Sequence, residues 1–290
     1  MNTRMNMDSG LTARVMVLAA GLALVPQVAM AGGSFRPMNI TQKNYNDGRS
    51  NTAARSIPIS AYDATRLDGT SVAGLWNWDT DVAVECPVGV NEVPEIARIG
   101  DAGGGLFAVG LTRDAPPHHT AGRAAILWDL SGGGSGEVFN LGANEPWVTG
   151  SWATGTSGDG SVVGGSVFGD ADGQGQFPHA VRWVNRGAAE LLEEPVGTRS
   201  SEVLDVSRDG SIALGAINEQ GPYIPPTRPI RPTTGSKGIV WSGGGYTVVE
   251  PGVAGADAVA LALTAISGDS SVASCTINTT RSNTKGGVYA

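Results

Sequence analysis

Apolar residues in this chain come in short runs separated by glycine, and no helical i, i+3, i+4 stripe runs through its body. The clearest stretch is Ala153 to Trp183, ATGTSGDGSVVGGSVFGDADGQGQFPHAVRW. It holds a Ser-x-Asp-Gly step, a Val-rich run closing on glycine, a polar loop, and a second run closing on tryptophan. Asp-Gly between two apolar runs marks a hairpin, because glycine supplies the positive φ that the favoured turns need. The serine two residues before the aspartate can bond the turn backbone.

The same unit recurs. LDGTSVAG (Leu67 to Gly74) reads as a first copy and GDAGGGLFAVG (Gly100 to Gly110), followed by AAILW to Trp128, as a degenerate second. SGDGSVVGG with HAVRW to Trp183 is the third, and SRDGSIALG with KGIVW to Trp241 the fourth. SGDSSVASC (Ser267 to Cys275) with KGGVYA is the fifth, which ends before a fourth strand. The closing residues Gly74, Gly110, Gly165, Gly215 and Cys275 stand 36, 55, 50 and 60 residues apart. That is close to the roughly 40–50 residue period of blade-forming repeats, stretched by insertions. Two insertions are proline-rich, Thr112 to Arg123 and Gly221 to Lys237, and proline keeps them out of a sheet.

Each unit accommodates four strands: one entering the Asp-Gly turn, one leaving it, one ending in tryptophan, and a run such as GYTVVEPG (Gly245 to Gly252). Trp128, Trp183 and Trp241 then recur at one place and read as indoles buried between neighbouring sheets. The expected fold is all-β, a β-propeller-like array of about five four-stranded repeat units. A strand near Phe35 to Ile40 is a candidate to close the ring. The glycine count (43) and the few phenylalanines (5) fit short strands and turns.

SGDGSVVGG…HAVRW and SRDGSIALG…KGIVW resemble the HAF-type bacterial extracellular repeat, over about Tyr62 to the C-terminus. Asp101-Ala102 and Asp269-Ser270 depart from its Asp-Gly turn. The resemblance implies a propeller-like β fold in an exported, sometimes autotransported, bacterial protein, and carries no catalytic residues.

Residues 1–31 carry Arg4 and Arg14, the apolar run Val15 to Val25, Pro26, and the small-x-small step Ala29-Met30-Ala31, which reads as a cleaved signal peptide. The apolar run is too short to span a bilayer, which needs roughly 20 residues. The expected division is therefore a signal over 1–31, an N-terminal tail or closing strand over 32–58, and the repeat domain over 59–290. The expected location is extracytoplasmic, secreted or periplasmic. A net charge of −8 argues against nucleic acid as a partner, since a phosphate backbone attracts Lys and Arg.

Candidate chemistry is sparse. Asp170, Asp172 and Gln174 put oxygens at alternate positions before a glycine, as at the start of a calcium loop, although the twelfth position is Val181 where a bidentate Glu is expected. A flexible polar insertion accounts for the same residues. Cys86 and Cys275, in the first and last repeats, could form a disulfide stapling a closed ring. His118, His119 and His179 are too scattered for a zinc site. Glu190, Glu193 and Glu194 read as a solvated acidic edge. Hydrolase, phosphate-loop and dinucleotide fingerprints are lacking. The reading is a non-enzymatic, monomeric scaffold, without a cofactor unless calcium, presenting loops to a protein or glycan partner. The competing readings are a hydrolase or lyase with inward polar residues at a central channel, and a truncated member without activity.

Overall fold

The computed structural model describes residues 45–54, 57–88, 92–101, 105–114, 123–132, 136–141, 145–170, 177–219, 234–254, 258–279 and 285–289. The signal-like segment 1–31 and the expected strand at Phe35 to Ile40 lie outside the described residues. Five antiparallel sheets follow one another in chain order. Sheet I holds β1 (Tyr45–Ala53), β2 (Ile59–Arg66), β3 (Ser71–Asn77) and β4 (Val82–Glu85). Sheet II holds β5 (Glu92–Gly100), β6 (Phe107–Asp114), β7 (Ala124–Asp129) and β8 (Glu137–Asn140). Sheet III holds β9 (Val148–Thr156), β10 (Val162–Gly169), β11 (Phe177–Val184) and β12 (Ala189–Leu191). Sheet IV holds β13 (Ser200–Val206), β14 (Ile212–Asn218), β15 (Ser236–Ser242) and β16 (Gly245–Val249). In sheet V the described strands are β17 (Ala258–Ile266), β18 (Ala273–Thr279) and β19 (Lys285–Tyr289).

Hydrophobic cores lie between consecutive sheets, so sheets II, III and IV are buried on both faces. Ala61, Leu75 and Cys86 of sheet I pack with Ile96, Ile126 and Trp128 of sheet II. Val109 and Leu127 of sheet II meet Val163, Val181 and Trp183 of sheet III. Ala180 meets Val203, Ile239 and Trp241, and Leu214 meets Leu261 and Leu263. Trp128, Trp183 and Trp241 each point at the preceding sheet. The indole N–H of Trp128 donates to the Pro87 carbonyl, and that of Trp241 to the Glu193 carbonyl, both at 2.8 Å. The recurring tryptophan is thus core and clasp together: it fills the layer and bonds the connection that crosses it. Face-to-face stacking of four-stranded antiparallel sheets, with their first strands β5, β9, β13 and β17 side by side, makes the array propeller-like.

Strand register corrects the first repeat. Trp128, Trp183 and Trp241 lie opposite Ala108, Val163 and Ala213 of the second strands, and the equivalent pairs at the ends of the array are Trp76 with Ser60 and Tyr289 with Ala273. LDGTSVAG therefore joins the second strand to the third, one hairpin later than the Ser-x-Asp-Gly turns. The first-to-second turn of sheet I is instead Ala54 to Pro58, closed by the Ala54 N–H on the Ile59 carbonyl at 2.8 Å, as the Ser157 N–H closes on Val162. Asp-Gly chemistry serves either hairpin, so it could not distinguish them. The first sheet accordingly begins at Tyr45 rather than residue 59, and the N-terminal strand pairs with β2 of that sheet.

All five first strands carry a β-bulge at one place, which skips Asn51, Ala97, Thr154, Leu204 and Thr264. Facing it are Tyr62, Gly110, Gly165, Gly215 and Cys275. The bulge drives a carbonyl toward the second strand: a Cβ on Gly110, Gly165 or Gly215 would run into the carbonyl oxygen of Glu95, Trp152 or Glu202. Close backbone approach, rather than turn formation, explains the glycine that ends each Val-rich run.

Candidate functional site

Strand alternation sorts the connections onto two ends. Turns between first and second strands, and between third and fourth, share one end, here the turn face. Loops between second and third strands, and the links from sheet to sheet, share the other, the loop face.

The turn face is built by local chemistry. In sheet III the Ser157 hydroxyl donates to Asp159 Oδ1 at 2.7 Å and accepts from the Val162 N–H at 2.9 Å, while Ser161 N–H and hydroxyl donate to the same carboxylate. Ser207, Asp209 and Ser211 repeat this arrangement, as do Ser267, Asp269 and Ser271. The serine bonds hold the Asp209 carboxyl below its ordinary range and bring that of Asp269 down to about 2. Gly160 and Gly210 take φ of 69° and 76°, and in the fifth copy Ser270 is forced to 60°. These aspartates are turn-makers, each with its Oδ1 engaged by serine donors of its own turn.

At the loop face the second and third strands of sheets II, III and IV are joined through segments that lie largely outside the described residues, 115–122, 171–176 and 220–233. Asp170 is exposed at the end of β10, whereas Asp172 and Gln174, like His118 and His119, lie outside the described residues. Among the described residues no three His, Cys, Asp or Glu side chains group as a metal site. Lys237 pins the root of the last insertion, pairing with Glu219 at 2.9 Å and Glu250 at 3.2 Å.

No disulfide joins Cys86 and Cys275. Cys86 follows an outermost strand and packs in the core between sheets I and II, where burial pushes its thiol up to about 12. Cys275 sits in a second strand, facing the bulge of β17, in the core between sheets IV and V. The two thiols thus lie in different inter-sheet cores.

Glu190, Glu193 and Glu194 do not act as one solvated edge. Glu190 pairs with Arg182 at 2.8 Å on the surface, and Glu193 lends its carbonyl to Trp241. Glu194 turns inward. It lies 3.5 Å from His179 Nδ1 and accepts from the Ser201 hydroxyl, which itself accepts from the Ala180 N–H at 2.6 Å. This network ties the link between sheets III and IV to the root of the loop after β10.

Bulge alignment also exposes polar residues on the first strands that the sequence reading did not find. One level, nearer the loop face, holds Glu95, Trp152 and Glu202 on consecutive sheets. The next holds Arg98, Gly155 and Asp205. Trp152 donates its indole N–H to Glu202 Oε1 at 3.1 Å, both residues being buried. Arg98 Nε comes within 3.2 Å of Asp205 Oδ1, and Asp205 is almost wholly buried. Asp205 Oδ2 accepts from Ile266 N–H at 3.0 Å, and Arg98 Nη2 donates to the Thr264 carbonyl at 3.4 Å. Sheets II, IV and V thereby meet at the inner edge. The signal that could have revealed these residues is their common offset from the glycine facing the bulge.

The loop end of sheet III is rich in rings. Trp147 meets His179 edge-on with centroids 5.5 Å apart, and Trp152 meets Phe168 at 6.0 Å. The guanidinium of Arg199 lies over Phe177 at 5.3 Å and that of Arg123 over Trp152 at 6.0 Å. Gly169 makes room for this cluster, since a Cβ there would strike the Trp147 ring at 2.7 Å.

No family model matches the chain, and no curated protein does. Among solved structures it is similar to the β-propeller domain of the Trilobed protease from Pyrococcus furiosus, at 12% identity over 83% of this chain and 69% of that one, with a TM-score of 0.47. It is also similar to TolB from Acinetobacter baumannii, at 12% identity, 84% and 54% coverage and a TM-score of 0.44. A structure from a study of two prolyl endopeptidases gives 10% identity, 84% and 34% coverage and a TM-score of 0.49. The chain spans about half the length of the TolB structure and a third of the endopeptidase structure. The fold assignment rests on the five sheets of this chain itself, and none of these likenesses assigns it an activity. Among the described residues, no helix is long and apolar enough to cross a membrane.

Proposed function

We propose that this chain is an exported, non-enzymatic repeat protein of the HAF type, whose loop face binds a partner. The observation that carries the reading is the contrast between its two ends. The turn face repeats one Ser-x-Asp-x-Ser device in sheets III, IV and V, whereas the loop end of sheet III carries Trp147, Phe177, His179 and Arg199, an arrangement outside the repeat. A rigid array with variable loops on one end suits recognition. The inner edge argues the same way: Arg98 and Asp205 are engaged with one another and with backbone groups of sheet V, which leaves them poorly placed to act on a substrate.

Affinity chromatography on immobilised mature protein tests this reading, with extracellular and envelope fractions applied to wild type and to variants of each face. A bound component identified by mass spectrometry, recovered unmodified and lost on loop-face substitution only, supports it. Turnover of the bound component, or binding lost only on turn-face substitution, overturns it.

A further inference from the structure

The loop end of sheet III combines ring surface with locally balanced charge. Trp147 and Phe177 are half-buried and lie on the two sides of Gly169, which pairs with both Val148 and Phe177. Arg199 on Phe177 and Glu194 beside His179 place a cationic fork and a carboxylate at the same edge. Of the three tryptophans outside the repeated core position, Trp78, Trp147 and Trp152, two belong to this end. Trp152 is buried against Glu202, whereas Trp147 rests on the core between sheets II and III and stays half-buried at the edge.

We infer that this edge binds a neutral oligosaccharide, an inference that rests on the loop face being the binding face. The mixed charge disfavours a strongly anionic or cationic ligand, because each sign meets its opposite next to its like. Ring faces carry negative potential and attract the weakly positive C–H faces of a pyranose ring. The exposed Arg199 guanidinium beside Phe177 is suited to its hydroxyls as a donor. A ligand with an apolar face and a polyhydroxylated edge matches both halves of the surface.

The test titrates mature protein with maltohexaose, cellohexaose, xylohexaose and chitohexaose, following tryptophan fluorescence and calorimetry. At least one sugar is expected to bind, with affinity falling about tenfold or more in Phe177→Ala and in Arg199→Gln, since loss of one good contact is worth about that factor. Arg199 is exposed, so its variant stays informative if Phe177→Ala is poorly folded. Asp269→Asn, on the opposite face, is expected to bind as wild type does. No binding by folded wild type to any of the four, or binding insensitive to both loop-face variants, overturns the inference. The broader reading would then survive through a protein ligand. Mass spectrometry of the sugar separates the remaining case: cleavage would retain the site and contradict the non-enzymatic assignment.

Discussion

Arg98 of β5 reaches past Gly155 of β9 to the carboxylate of Asp205 on β13, and the pair is closed off by sheet V. The three positions are equivalent in their sheets, each following the bulge. Glycine in the middle is what lets the flanking pair meet: a Cβ on Gly155 would lie 2.7 Å from the Asp205 Cα. Removing one member of a buried pair strands the other charge, at a cost of about 3–5 kcal/mol. Arg98→Met is therefore expected to lower stability by an amount near the bottom of that range, because Arg98 is partly exposed. Urea unfolding measures it, and Arg98→Met combined with Asp205→Leu is expected to recover part of the loss.

Glycines facing the bulge should tolerate no side chain. Gly215→Ala is expected to destabilise by roughly 1–3 kcal/mol, as overpacking commonly does. Gly245→Ala is the control, since a Cβ there meets nothing within 4 Å. Thermal unfolding of the two variants should separate them clearly.

Ser270 holds the left-handed conformation that glycine holds in the third and fourth copies. Ser270→Gly is expected to stabilise by roughly 0.5–1 kcal/mol, the left-handed penalty less the added freedom of the unfolded chain. Unchanged or reduced stability in denaturant would show that the turn pays no such penalty.

The turn aspartates set an acid limit. The carboxyl of Asp269 falls from an ordinary 3.8 to about 2, because serine donors favour its charged form. A depressed folded value gives stability that is complete above 3.8 and is lost as pH falls toward 2. Asp269→Asn is expected to flatten stability across that window and leave its pH dependence near neutrality unchanged, as read by unfolding midpoints at several pH values.

Much of the architecture is legible in the residues because it is local. Ser157, Asp159 and Ser161 make their turn within a few positions, and Trp128, Trp183 and Trp241 repeat at a fixed place. What is not legible depends on register. LDGTSVAG looks like its relatives, yet Trp76 and the bulge opposite Tyr62 place it one hairpin later. Arg98 and Asp205 are ordinary polar residues until the bulge count aligns their sheets. Nothing local marks Trp147 and Trp152, and only the pairing of β9, β10 and β11 around Gly169 sets Trp147 against His179 and Trp152 against Phe168.

Hydrogen exchange of the mature protein, with and without a bound hexasaccharide, addresses the role of the loop face most directly. Protection is expected around residues 147–152, 177–182 and 192–202, with no change at 157–161, 207–211 and 267–271. Protection centred on the Ser-x-Asp-x-Ser turns, with the loop end of sheet III unaffected, would contradict it.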